Sequence, residues 1–72
     1  MTRKEIISEI KAQNLPLDTT VYKLKTIDGN DGSCSSEYFF DAEERDAECE
    51  GIESPYFYER YTTTFKPEAF TN

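Results

Sequence analysis

The sequence predicts a small α+β domain in the order α-β-β-α-β, an antiparallel three-stranded sheet with two helices packed on one face. Three observations lead there. Two segments open on helix-capping patterns, a doubled Asp-Gly turn separates two strand-like runs, and a long aromatic and β-branched run follows the second helix.

The first helix starts at Thr2-Arg3-Lys4-Glu5, where the Thr2 hydroxyl and the Glu5 carboxylate are spaced to cap each other's backbone N–H. Ile6, Ile7 and Ile10 form one apolar stripe behind it. Lys11 suits the negative end of the helix dipole, Asn14 is a stop, and Pro16 prevents continuation. A helix over 3–13 follows. Leu17 to Ile27 is rich in β-favouring residues and reads as a strand, with Tyr22 and Leu24 toward the core and Lys23 and Lys25 toward water.

Asp28-Gly29-Asn30-Asp31-Gly32 supplies the positive φ values of a hairpin turn, and Cys34 to Phe40 returns as the second strand. The same five residues resemble the opening of a calcium-binding EF-hand loop. That reading fails at loop position 5, Gly32, and at position 12, Phe39, so a turn accounts for them. Asp41 then caps a helix over 42–50 with Glu44 at its third position. Gly51 stands at the C′ position, and Ile52 is placed to pack back on the last turn. Between Pro55 and Pro67, Tyr56 to Phe65 forms the strongest strand candidate. Phe57, Tyr61 and Phe65 are expected to fill the core, with Tyr56, Tyr58, Arg60, Thr62 and Thr64 on the opposite face. Residues 1–66 make one domain and 67–72 a short flexible tail.

At 72 residues the chain makes a single domain with a thin core. Its ten Phe and Tyr residues argue against disorder. No stretch approaches the roughly 20 apolar residues of a membrane span. Charged residues interrupt the N-terminal segment, so the expected compartment is the cytoplasm. Cys34 and Cys49 are expected as reduced thiols, one or both buried. Two cysteines and no histidine fall short of a zinc site, and no cofactor or metal is expected.

The absence of histidine also removes the usual general base, and no serine has a partner to activate it, so the residues point away from catalysis. Charge points toward binding. Glu37, Asp41, Glu43, Glu44, Asp46, Glu48, Glu50 and Glu53 face Arg45 alone within residues 37–53, which concentrates there the whole formal charge of −7. Such a field attracts basic surfaces and repels nucleic acid and anionic membranes. Direct nucleic-acid binding through the strand aromatics lacks the cations that would track phosphates. Carboxylates four apart on a helix rise about 6 Å, which suits a groove of Lys and Arg built for nucleic acid. Tyr56 and Tyr58 join the carboxylates as candidate partner-binding residues, since exposed tyrosines are enriched at binding hot spots.

A compact, strongly acidic, histidine-free chain with this acidic window resembles the small phage-encoded proteins that inhibit host enzymes or defence nucleases, among them DNA mimics and anti-CRISPR proteins. The resemblance rests on size, charge and the 37–53 window. It implies a basic protein partner, such as a nucleic-acid-binding enzyme. The alternative expectation is an adaptor or homodimeric module that associates through the aromatic third strand.

Overall fold

The computed structural model describes residues 1–71 and contains α1 (Arg3–Ala12), β1 (Val21–Asp28), β2 (Cys34–Phe39), α2 (Ala42–Glu50) and β3 (Tyr56–Thr63), followed by a 3₁₀ turn at Pro67–Phe70. The fold is α+β in the expected order. β1 is the central strand and pairs antiparallel with β2 on one side and β3 on the other. α2 carries the chain from one edge of the sheet to the other. Among the described residues, no helix is long and apolar enough to cross a membrane.

Both ends of α1 are closed as local chemistry requires. Thr2 and Glu5 form the capping box, with hydrogen bonds of 3.0 and 3.1 Å. The Thr2 N–H holds the Glu5 carboxyl below its usual pKa. At the other end Asn14 takes a φ of 55°, in the left-handed region. Leu15 N–H donates to Ile10 C=O at 3.0 Å and Asn14 N–H to Lys11 C=O at 3.1 Å, a Schellman closure. The Schellman pattern expected at the end of α2 is therefore found on α1. Gly51 instead keeps a right-handed φ of −86°. Ile52 still packs back, against Leu24, Phe39 and Cys49.

The two helices do not share a face, contrary to the sequence expectation. Ile6 and Ile10 of α1 cluster with Val21 and Tyr38, whereas Cys49 of α2 clusters with Leu24 and Phe39. Tyr38 and Phe39 are consecutive strand residues, so their side chains lie on opposite sides of the sheet. Val21 and Leu24 differ in parity in the same way. The sheet is thus the middle of three layers, with a separate small core on each side. Ile6, Ile10 and Val21 are fully buried, and truncating either isoleucine to Ala is expected to cost about 2–5 kcal/mol.

β1 begins at Val21, later than Leu17, because Thr19 N–H closes a turn on Pro16 C=O at 3.0 Å. Leu24 is buried as expected. Lys23 faces the α1 side, with Nζ 5.9 Å from the Tyr38 ring and 5.5 Å from the Tyr61 ring. In place of a loose end, residues 67–70 form the 3₁₀ turn, and Phe70 packs on the α1-side core with its ring 6.3 Å from that of Phe65. An aromatic ring with a neighbouring apolar surface to cover explains that docking.

Phe57 and Tyr61 depart furthest from expectation. Phe57 is 60% exposed and Tyr61 40%, so of the three aromatics assigned to the core only Phe65 is even partly buried there. α1 packs chiefly on β2 and the final turn, α2 on β1 and β2, and β3 leans on β1. Helices of nine and ten residues span only about 15 Å and leave the third strand uncovered.

Candidate partner-binding surface

α2 owes its orientation to very little apolar surface. Cys49 is its one buried residue, with Ala42, Arg45 and Asp46 partly covered on the same side. A turn of about 100° per residue then sets Glu43 and Glu50 on one outer flank and Glu44 and Glu48 on the other. All four are exposed. Asp41 caps the helix, its Oδ1 accepting from Glu43 N–H at 2.9 Å. The last turn carries no cation, so Glu48 and Glu50 stand at the negative end of the helix dipole.

Asp46 is set apart from this outer face. It accepts from Arg45 Nε at 3.1 Å and from an Arg60 guanidinium nitrogen at 3.3 Å. Burial pushes its pKa up, but the hydrogen bonds from Arg45 and Arg60 outweigh that and hold it below the usual carboxylate value. Arg45 also donates to the Tyr61 carbonyl at 3.0 Å and lies 5.3 Å from the centre of the Tyr22 ring. These contacts fasten α2 to the sheet.

The ten predicted site residues therefore separate into groups. Glu43, Glu44, Glu48 and Glu50 form the outer face of α2, while Asp41 and Asp46 serve the helix end and its attachment. Glu37 stands on the β2 edge, 3.9 Å from the amino terminus, and Glu53 is exposed in the loop beyond α2. Tyr56 and Tyr58 are 48% and 43% exposed, and strand alternation places them on the α2 side of the sheet.

The basic residues of the N-terminal third lie across the sheet from α2. Arg3 stacks 5.4 Å from the Phe65 ring in the α1-side core, Lys4 and Lys11 share its helix, and Lys25 pairs with Glu59 at 3.6 Å. Among the described residues none of them forms an ion pair with an α2 carboxylate. The sheet thus separates a mixed, cation-rich side from an acidic one.

The α2 carboxylates diverge around the helix, and among the described residues no group of three or more metal-capable side chains converges. Both cysteines are free thiols, Cys34 exposed and Cys49 buried, and burial pushes the Cys49 thiol pKa up. Compared with models of protein families, with curated proteins and with solved structures, the chain matches none.

Proposed function

We propose that the protein acts by binding, with the outer face of α2 engaging a basic protein surface of the kind that a nucleic-acid-processing or defence enzyme presents to nucleic acid. The observation that carries this reading is the set Glu43, Glu44, Glu48 and Glu50, exposed along the two outer flanks of α2 and without an ion pair among the described residues, while the N-terminal cations lie beyond the sheet. Glu44 and Glu48 repel each other at i, i+4 spacing, at a cost of about 0.2–0.5 kcal/mol. A partner lined with Lys and Arg relieves that repulsion and releases its own counterions, as nucleic acid does. The α2-side position of Tyr56 and Tyr58 supports the same reading, since it gives the acidic face an amphipathic flank.

Capture from host lysate at low and near-physiological salt tests this. Exposed charge pairs are screened over roughly 10 Å at 0.1 M salt, so binding led by α2 weakens steeply between the two conditions. The expected result is a basic nucleic-acid-binding protein recovered at low salt by the wild type and lost with the triple variant Glu44→Lys, Glu48→Lys, Glu50→Lys. Equal recovery by the triple variant, or no basic protein enriched at all, overturns the proposal.

A further inference from the structure

The outer edge of β3 is open, and the hairpin determines which backbone groups it presents. Asp28 N–H donates to Ser33 C=O at 2.8 Å, and Asp28 C=O accepts from Gly32 N–H at 2.8 Å. Asp28 thus turns its polar groups toward β2. Alternate residues of an antiparallel strand bond to opposite neighbours, so Val21, Lys23, Lys25 and Ile27 turn theirs toward β3. Their partners Thr63, Tyr61, Glu59 and Phe57 point inward. The residues between them, Tyr56, Tyr58, Arg60 and Thr62, direct their carbonyls and N–H groups out of the sheet. Tyr56 N–H alone is taken, by Glu53 C=O at 2.9 Å.

Charged side chains commonly protect an edge, and β3 has two, but each is paired within the chain, Glu59 with Lys25 and Arg60 with Asp46. The strand has no other edge protection. It has no proline between Tyr56 and Thr63, its register with β1 runs without a bulge, and all but its last residue are exposed. The β2 edge differs, because Met1 pairs there with Tyr38 through bonds of 2.7 and 3.1 Å.

We infer that the β3 edge pairs antiparallel with the β3 edge of a second copy of this chain, in a register centred on Glu59. That register alone matches every outward residue within the strand. Tyr58 bonds to the second copy's Arg60, and the Tyr56 carbonyl accepts from the second copy's Thr62. A shift of two residues in either direction leaves one of the four facing a residue beyond the strand.

The side chains agree with this register. On the α2 side Tyr58 comes beside the second copy's Arg60, a cation–π pair. On the α1 side Phe57 faces the second copy's Tyr61 at the close spacing of a pair not joined by backbone bonds. The rings of Phe57 and Tyr61, which the short helices leave exposed, are covered in this pair. The two Glu59 carboxylates meet at the centre, a like-charge pair that opposes the association, and each keeps its own Lys25 at 3.6 Å, which offsets that repulsion.

The two-fold axis stands perpendicular to the sheet, so a six-stranded sheet results with both α2 helices on one side. The pairing does not rest on the acidic face having a partner. It also responds to salt in the opposite sense. Two copies of net charge −7 repel, so added salt strengthens the dimer, whereas salt weakens a contact made by α2.

Sedimentation across micromolar to millimolar protein, at low and near-physiological salt, tests the association. The expected result is a species of twice 8.3 kDa whose fraction rises with both protein and salt. In a Cys34→Ser background, Glu59→Cys tests the register. Its Cα atoms lie about 4.5 Å from their symmetry mates in the predicted pair, within disulfide range. Mild oxidation should give a covalent dimer at least tenfold faster than for a Thr64→Cys control. Tyr58→Pro removes an outward N–H, leaves the β1 ladder intact, and should weaken dimerisation at least tenfold. A monomer at every concentration, or Glu59→Cys cross-linking no faster than the control, overturns the inference even where Tyr58→Pro fails to fold.

Discussion

Asp46 on α2 stands 3.3 Å from Arg60 on β3, so one carboxylate of the acidic window links the crossover helix to the edge strand. The same oxygen accepts from Arg45, whose guanidinium reaches the Tyr61 carbonyl. The helix is held by a polar clasp where its sequence offers little apolar surface.

That clasp predicts a pH dependence. Burial raises the Asp46 pKa, the hydrogen bonds from Arg45 and Arg60 together outweigh that rise, and the folded value lies below the usual one. A depressed carboxylate stabilises the fold above its unfolded pKa, about 3.9, and that contribution disappears as pH falls through the folded value. Urea denaturation should show wild type more stable than Asp46→Asn at pH 7. The gap should close progressively below about pH 4.

Thiol chemistry should separate the two cysteines. Cys34 is exposed, whereas Cys49 is buried with its pKa pushed up by burial. The thiolate is the reacting form, so native protein should take up one alkyl group and denatured protein two, as read by intact mass. Peptide mapping should place the first on Cys34.

The last turn of α2 sets stability against binding. Glu50 sits at the negative end of a helix with no cation in its last turn. Glu50→Lys should stabilise the protein by about 0.3–1 kcal/mol at low salt, read by thermal denaturation. The same change should weaken capture of a basic partner. A variant more stable and still fully binding would remove Glu50 from the contact.

Gly29 ties the hairpin to the start of β3. Its N–H donates to Pro55 C=O at 3.0 Å, and a Cβ there would collide with the Pro55 oxygen and crowd the Phe57 ring at 2.9 Å. Gly32 has open space but a φ of +76°. Gly32→Ala should cost about 1 kcal/mol through backbone strain. Gly29→Ala should cost more, because backbone at Pro55 must shift, and should also alter the amide signals of Tyr56 and Phe57. Denaturation and amide NMR of the two variants check the order.

Elements with local chemistry were legible in the sequence. The Thr2 and Glu5 box, the Asp28–Gly32 turn and the Asp41 cap each act within a few residues, and the structure places all three where the spacing does. The assignment of faces was not legible. α2 offers one buried side chain, Cys49, and its pattern does not say which side of a sheet it covers. Val21 and Leu24 are both buried on β1 although they point to opposite sides, so the strand lacks a single apolar face. The exposure of Phe57 and Tyr61 follows from helix length and position, which residue type does not encode. Within the acidic window, counting charges identified the outer α2 carboxylates. It could not separate Asp46, because its ligand Arg60 comes from a strand fourteen residues further on.

Tyr38 and Phe39 are neighbours in sequence yet belong to different cores. The hairpin is consequently a shared keel with ballast on both sides. A single peptide unit of β2 thus joins the core under the cation-rich flank to the core under the acidic one.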